Sequence, residues 1–321
     1  MSYLARALAL AGLALAVYLY WSGDPAAVWA LIAQAGFGIV LAALLHVFPM
    51  ALNARAWQVL LPQGERPRLR VMLLAVWVRE SVNGLLPVAR VGGEIVSYRL
   101  LRIYGMRRFA AAASLVVDMA LSVLSQLVFA LAGIVFWIAH GQSSAFASQL
   151  GFGLVVMLVL AALFVVVQRA GAFEKITSIA NRLASGRLEQ AVGHSARIDR
   201  AVRIMYRRRG RIASCFLWQL AGWLAGAAEI AAALYFLGHP VSIADALAIE
   251  ALIQAISSAA FAVPGALGVQ EAGFLAIGAA FGIDAPTALA LAAARRVRDV
   301  IVFFPGLLAW QFLERATPQP A

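Results

Sequence analysis

The apolar residues of this chain fall into long runs separated by short polar or basic stretches. Several runs approach or exceed the roughly 20 residues that cross a bilayer as an α-helix. This pattern predicts an all-α polytopic membrane protein with about six transmembrane helices and no separate soluble domain. The predicted spans are 4–20, 28–47, 109–138, 150–167, 212–237 and 288–313.

Two further apolar segments, 71–104 and 243–282, are each interrupted in the middle by proline and glycine. We interpret both as re-entrant broken-helix hairpins, so that each half of the chain reads span, span, hairpin, span. Three crossings per half are an odd number, so the second half enters the membrane from the opposite side. The sequence therefore predicts an inverted repeat. Arms of roughly 14–20 residues cover about 20–30 Å, so whether they stop inside the bilayer or cross it stays open.

The predicted repeats have the following boundaries. The first repeat is 1–140, with two spans, the hairpin at 71–104 and a span at 106–140. The second repeat is 148–315, with two spans separated by a basic segment at 169–211 that we expect to be a cytoplasmic loop, the hairpin at 243–282 and a span at 285–313.

In each hairpin the proline is followed seven residues later by a glutamate, as Pro87 and Glu94 in the first and Pro264 and Glu271 in the second. Such a break leaves backbone groups without partners and aims a helix N-terminus at the membrane interior, which suits a polar or anionic headgroup. Paired breaks in two halves of a membrane protein point to a transport site at the midplane. A purely structural role also fits these glutamates, because first-turn acids complement the helix dipole.

Other ionisable residues in the apolar segments are candidates for the same site. A charge at the centre of a transmembrane helix costs roughly 2.5–3.5 kcal/mol, so it usually faces a partner or a wet cavity. Arg295 and Asp299 are four residues apart and could pair, whereas Arg296 points off their face and is expected to snorkel. Asp118 lies on a stripe of serines that fits either a cavity or interhelical hydrogen bonds. The predicted substrate-binding residues are Asn83, Pro87, Arg90, Gly93, Glu94, Asp118, Glu250, Pro264, Glu271, Arg295, Arg298 and Asp299.

The net charge of +11 is concentrated in the segment 169–211, where eleven basic residues face three acidic ones. A nucleic-acid patch is one interpretation of such a run. In so apolar a chain we favour positive-inside topology and attraction to anionic lipid headgroups, and we expect no nucleic-acid partner. Placing this segment in the cytoplasm puts every basic cluster, and both termini, on that side. Residues 1–21 also fit a cleaved signal peptide, although the repeat needs them as a span.

Familiar catalytic and cofactor motifs do not occur in the sequence. The single cysteine, Cys215, excludes an internal disulfide and a thiol-based metal cluster. There is no P-loop, HExxH, GxSxG or glycine-rich dinucleotide loop, and the four histidines are widely scattered. We therefore expect no cofactor, no metal and no ATP use. The expectation is a protein that is not an enzyme.

Several runs resemble the transmembrane region of lysylphosphatidylglycerol synthase, a flippase-like membrane family. They are ESVNGLLPVARVGGE at 80–94, VVD at 116–118, PGALGVQE at 264–271, RRVRD at 295–299 and PGLLAW at 305–310. The first run is most similar to the hopanoid-associated branch. The resemblance implies a bacterial inner-membrane protein that moves a lipid between leaflets or onward. The synthases add a soluble aminoacyl-transferase domain, which this sequence lacks, so the resemblance does not extend to their synthase activity.

The leading hypothesis is a lipid translocase that works without ATP, exposing a midplane cavity alternately to the two sides. Its partners would be membrane lipids: hopanoids or other polyisoprenoid lipids, as the resemblance implies, or phospholipids. Two alternatives stay open. One is a membrane-embedded enzyme that uses the carboxylates on a lipid headgroup. The other is a non-transporting scaffold for lipid-synthesis enzymes, docked through the basic segment. The sequence leaves an oligomer open as well.

Overall fold

The computed structural model describes residues 3–62, 64, 66–86, 92–139, 189–260 and 263–316, together with a few single positions between 155 and 166. Every element within these ranges is helical, as the apolar runs predicted. The predicted span at 150–167 lies outside the described residues except for those single positions. Residues 169–188 of the basic segment lie outside them altogether.

The first half of the chain forms seven helices in the described ranges. Asp24 caps the second helix by accepting a hydrogen bond from the Ala27 backbone N–H at 3.1 Å, with Pro25 at the first helical position. Gly36, at φ +50°, ends that helix, because only glycine adopts this conformation without strain. The helices are α1 (Tyr3–Ser22), α2 (Pro25–Ala35), α3 (Phe37–Leu44), α4 (Val47–Leu60), α5 (Leu69–Leu85), α6 (Gly92–Ile103) and α7 (Arg108–Ala139).

The second half adds six described helices. Part of the basic segment is helical rather than a loop, because its apolar residues recur at helical spacing. Val202, Met205 and Tyr206 are buried, and this helix packs against α7. The helices are α8 (Glu189–Arg207), α9 (Arg209–Phe236), α10 (Ile243–Ala259), α11 (Val269–Ala280), α12 (Ala285–Arg298) and α13 (Phe304–Ala316).

Three of the described helices are long and apolar enough to cross a membrane: Phe37–Leu60, which joins α3 and α4, together with α7 and α9. Shorter apolar helices are Ala9–Ser22, Pro25–Ala35 and Val269–Ala280. The run predicted as a span at 28–47 thus divides at Gly36, and its crossing-length helix continues to Leu60. The run at 288–313 is also divided, by a π-helical turn over Asp299–Phe303 between α12 and α13.

Both hairpin segments consist of two helices that pack against each other, α5 with α6 and α10 with α11. The first break falls at 86–91, of which 87–91 lie outside the described residues. The second contains a 3₁₀ turn, Pro264–Ala266. Glu94 and Glu271 lie in the first turns of α6 and α11, which confirms their predicted positions.

Close contacts hold the two halves together. α9 packs against α3, α4, α7 and α10, and α7 also packs against α10. Gly133 of α7 lies so close to α10 that a Cβ there would be 2.4 Å from the Ala251 Cβ. The Trp77 indole N–H of α5 donates to the Val302 carbonyl of the π turn at 2.6 Å. α1 packs against the second break, where a Cβ on Gly12 would meet the Leu267 carbonyl at 2.6 Å.

Candidate functional site

A polar cavity of about 350 Å³ lies where the two hairpin segments meet. The two breaks approach each other there: a Cβ on Gly265 would lie 3.4 Å from the Gly84 carbonyl oxygen. Helices α4, α5, α6, α7, α9, α10 and α12 and the π turn all contribute to the wall. The ionisable residues that line it are His46, Arg79, Glu80, Glu94, Asp118, Glu250, Arg295, Arg298 and Asp299.

Asp118 forms a buried ion pair with Arg79. Its Oδ2 accepts a hydrogen bond from the Arg79 guanidinium at 2.7 Å, and only 1% of its side chain is exposed. Oδ1 accepts a second hydrogen bond from the Gln219 side-chain amide at 2.9 Å. The guanidinium also lies over the Trp57 ring, 5.1 Å from its centroid. Helices α5, α7 and α9 therefore share one charge pair, which satisfies a carboxylate that would otherwise be costly in apolar surroundings.

Asn83 joins the two sides of the first break. Its side-chain oxygen accepts a hydrogen bond from the Gly93 backbone N–H at 2.9 Å, and its NH₂ donates to Glu94 Oε2 at 3.0 Å. A Cβ on Gly93 would lie 2.3 Å from the Arg79 carbonyl oxygen, so glycine allows α6 to approach α5 this closely. One amide thus caps the start of α6 and orients the Glu94 carboxylate at the cavity wall.

Arg295 belongs to a second ion-pair cluster at the cavity wall. It donates to Glu250 Oε2, and its Nε lies 3.7 Å from Glu229 Oε1. Gln254 donates to the other oxygen of Glu250 at 2.7 Å. The spacing of Arg295 and Asp299 allowed them to pair, but Arg295 instead contacts Glu229 on α9 and Glu250 on α10. Tertiary packing places these two carboxylates nearer to Arg295 than the carboxylate one helical turn further along.

Arg298 bridges α12, α9 and the π turn. It donates to both oxygens of Glu229 at 3.3 Å, and its Nε donates to Asp299 Oδ1 at 3.0 Å. Both Arg298 and Asp299 are thus held in ion pairs at the wall. The π turn places Asp299 beside these groups, although it follows Arg298 directly in the chain.

Glu271 differs from Glu94 because its carboxylate contacts groups of the protein and does not line the cavity. It is 1% exposed, accepts a hydrogen bond from the Gly268 backbone N–H at 2.7 Å, and pairs with Arg296 at 2.8 Å. Arg296 also donates to the Gly265 carbonyl at 2.8 Å. The expectation that Arg296 snorkels is wrong, because it fastens the second break to α12 instead.

The structure brings together seven of the predicted site residues at the cavity wall, with Gly93 directly behind it. Glu271 lies beside the second break. Pro264 begins the 3₁₀ turn next to the lining residue Gly265, whereas Pro87 and Arg90 lie outside the described residues. The seven lining residues are Asn83, Glu94, Asp118, Glu250, Arg295, Arg298 and Asp299.

Five ionisable residues of the ion-pair network were absent from the predicted site: His46, Arg79, Glu80, Glu229 and Arg296. Each lies within an apolar segment, and that alone marks an ionisable residue for attention. His46 was set aside because the histidines are scattered, which argues against a metal site but says nothing about a single ring. Glu229, 5% exposed, carries this signal too, but its pairing with Arg298, 69 residues further along the chain, could not be read from the sequence.

The comparison with known protein families found a match. The sequence model of the lysylphosphatidylglycerol synthase transmembrane region matches residues 6–306. The chain belongs to this family. Neither the comparison with curated proteins nor that with solved structures found a match. The family and the apolar helices establish a membrane protein tied to lipid metabolism or transport.

Proposed function

We propose that this member of the family is a lipid translocase that moves lipid headgroups through the cavity between its broken segments. The observation that carries the proposal is the charged cavity itself. Its volume falls in the roughly 300–1,000 Å³ range of small-ligand sites, which suits a headgroup. Ionisable residues at membrane depth mark substrate and ion pathways, because each is costly unless it serves a polar route.

The distribution of charge supports a polar headgroup as the part of the lipid that is recognised. Carboxylates are paired with guanidiniums at the wall, both in the Arg79–Asp118 pair and in the cluster that contains Glu250, Arg295 and Arg298. A headgroup that enters can exchange hydrogen bonds with these pairs in place of its own hydration shell. The hydrocarbon tails would stay in the bilayer. The carboxylates are assigned no catalytic step.

We propose an inverted repeat with alternating access as the mechanism. The close approach of Gly84 to Gly265 links the two breaks, and the hydrogen bond from Trp77 to Val302 links the first hairpin segment to the π turn of the second half. Rocking of one half against the other about these contacts would open the cavity to either leaflet in turn.

The orientation follows from charge. We propose an inner-membrane location with the basic segment 169–211 and both termini in the cytoplasm, as the positive-inside rule favours. The basic residues of α8 would then lie at anionic headgroups.

The cargo we propose is a hopanoid or related polyisoprenoid lipid, or a phospholipid. Reconstitution tests this directly: the pure protein in vesicles of phosphatidylglycerol and phosphatidylcholine should speed the movement of labelled lipid between leaflets relative to empty vesicles. Unlabelled hopanoid should compete if it is the cargo. No effect on any lipid of this panel, hopanoid included, would refute the proposal.

A further inference from the structure

His46 contacts one carboxylate from each half of the chain. It lies at the interruption between α3 and α4, and 16% of its side chain is exposed at the cavity wall. Its Nδ1 is 3.0 Å from Glu229 Oε2, and its Nε2 is 3.4 Å from Glu80 Oε2. The ring therefore bridges a carboxylate on α5, in the first half, and a carboxylate on α9, in the second.

A carboxylate at each ring nitrogen selects one protonation state. A neutral imidazole has a single N–H and would turn a lone pair toward one of the two carboxylates. Only the imidazolium donates from both nitrogens, and histidine is the side chain whose ordinary titration lies near neutral pH. The geometry thus fits a ring that carries an extra proton.

The charges around the ring agree with this assignment. Ion pairs connect the ring to five carboxylates and three guanidiniums on the surrounding elements, so the cluster carries a net −2 with a neutral ring and −1 with the imidazolium. The Arg79–Asp118 pair nearby neutralises itself. The groups are Glu80 on α5, Glu229 on α9, Glu250 on α10, Glu271 on α11, Arg295, Arg296 and Arg298 on α12 and Asp299 in the π turn.

One neighbour opposes the proton. Nη1 of Arg298 is 3.5 Å from His46 Nδ1, and this like charge is offset by the carboxylates of Glu229 and Asp299. His46 and Glu80 both belong to the first half of the chain, whereas Glu229 and Arg298 belong to the second. A rearrangement of the halves therefore carries Glu229, the nearer of the two carboxylates, away from the ring, and only Glu80 is left to accept a hydrogen bond from it. The ring would then lose its proton.

We propose that His46 is the binding site of a coupling proton, so that proton movement drives lipid movement. This inference rests on the proposed translocation. A proton enters from the side to which the cavity is open and adds to a ring nitrogen of His46. After the halves rearrange and separate Glu80 from Glu229, the same proton leaves the ring toward the opposite side.

The first test reads the ring directly. Full-length protein with ¹⁵N-labelled histidine in nanodiscs of phosphatidylglycerol and phosphatidylcholine gives four ring environments, and His46→Gln identifies the relevant one. We expect the signature of two protonated nitrogens at neutral pH, and a shift to a neutral tautomer in Glu229→Gln. A neutral His46 ring in the unmodified protein would overturn the proposal.

The second test reads coupling in vesicles of the same lipids, with labelled phosphatidylglycerol, an internal pH dye and the membrane potential clamped. If one proton moves with each lipid, a gradient of about one pH unit can maintain up to about a tenfold ratio of label between the two leaflets. This accumulation, with the accompanying proton flux, should disappear in His46→Gln. It should persist in His194→Gln, a change at an exposed ring on α8.

The outcomes separate the two proposals. Label that equilibrates between leaflets without responding to the gradient overturns proton coupling and leaves translocation standing. A protein that moves no lipid of the panel overturns translocation, and coupling with it. A gradient response that survives His46→Gln places the proton elsewhere and overturns the assignment to this ring.

Discussion

At the scale of single residues, the cavity is built from charges that are neutralised by partners distant in sequence. Asp118 could be predicted as a site residue because a carboxylate stands out in an apolar helix. Its partner Arg79 carries the same signal in α5, but their pairing could not be predicted, since 39 residues separate them and only the packing of α5 and α7 against α4 brings them to 2.7 Å. The same holds for Glu229 and Arg298, 69 residues apart.

The Arg79–Asp118 pair gives a prediction about stability. Asp118→Asn or Arg79→Gln alone should lower the free energy of unfolding by about 3–5 kcal/mol, because each leaves a buried charge without its partner. The double variant should lose less than the sum, because no uncompensated charge remains. Thermal melting in detergent, followed by intrinsic fluorescence, measures this. Additive losses would contradict the pairing.

At the scale of elements, the two breaks are alike in sequence but differ in their contacts. Both place a glutamate in the first turn of the following helix. Glu94 lines the cavity and accepts a hydrogen bond from Asn83, whereas Glu271 is buried against Gly268 and Arg296. The equal spacing from proline to glutamate predicted equivalent roles, because spacing carries no information about what faces each carboxylate.

This difference predicts unequal effects of the same substitution. Glu94→Gln retains the hydrogen bond to Asn83, so it should leave stability nearly unchanged and slow lipid movement by about tenfold, equivalent to about 1.4 kcal/mol. Glu271→Gln should cost about 1.5–3 kcal/mol of stability, because it breaks a charge-assisted contact with Arg296. Melting curves and vesicle assays on the two variants compare these effects. An equally stable Glu271→Gln protein would contradict its structural assignment.

Helix packing supplies a further prediction. Gly133→Ala should destabilise the protein by about 1–3 kcal/mol, because the added methyl group meets Ala251 on α10. Gly210→Ala is the matched control, since a Cβ there meets no atom within 4 Å. The comparison uses melting temperatures. A tolerated Gly133→Ala would show that α7 and α10 are not packed this closely.

Helix existence was easier to predict than helix ends. The apolar runs predicted the helical class, yet the division at Gly36 and the π turn after Arg298 were missed, because both lie inside continuous apolar sequence. The helix α8 was missed for the opposite reason. Its many basic residues mask a buried face of Val202, Met205 and Tyr206.

At the scale of the whole molecule, two broken segments from distant parts of the chain surround one polar cavity. The sequence predicted that they would converge, because the matching breaks of an inverted repeat meet at one site. The position of the cavity along the bilayer normal and the proposed inverted symmetry remain predictions. Which charges pair across the cavity depends on the packing of α9 between α4, α7 and α10, and no periodicity in the sequence encodes that arrangement.

The central claim is that this cavity, rather than the surface of the protein, carries the lipid headgroup. Two ion pairs allow a matched comparison: Arg79–Asp118 at the cavity wall and Arg99–Glu314 at the surface. The side chains of Arg99 and Glu314 are 61% and 41% exposed, and their charged atoms are 3.2 Å apart. The variants Arg79→Gln/Asp118→Asn and Arg99→Gln/Glu314→Gln each remove one pair without changing the net charge.

The decisive measurement is the initial rate of lipid movement between leaflets for these two double variants, at equal protein per vesicle and with folding verified by melting. We expect a loss of at least about tenfold for the cavity variant, equivalent to about 1.4 kcal/mol or more, and an unchanged rate for the surface variant. Two folded variants that both move lipid as fast as the unmodified protein would contradict the central claim.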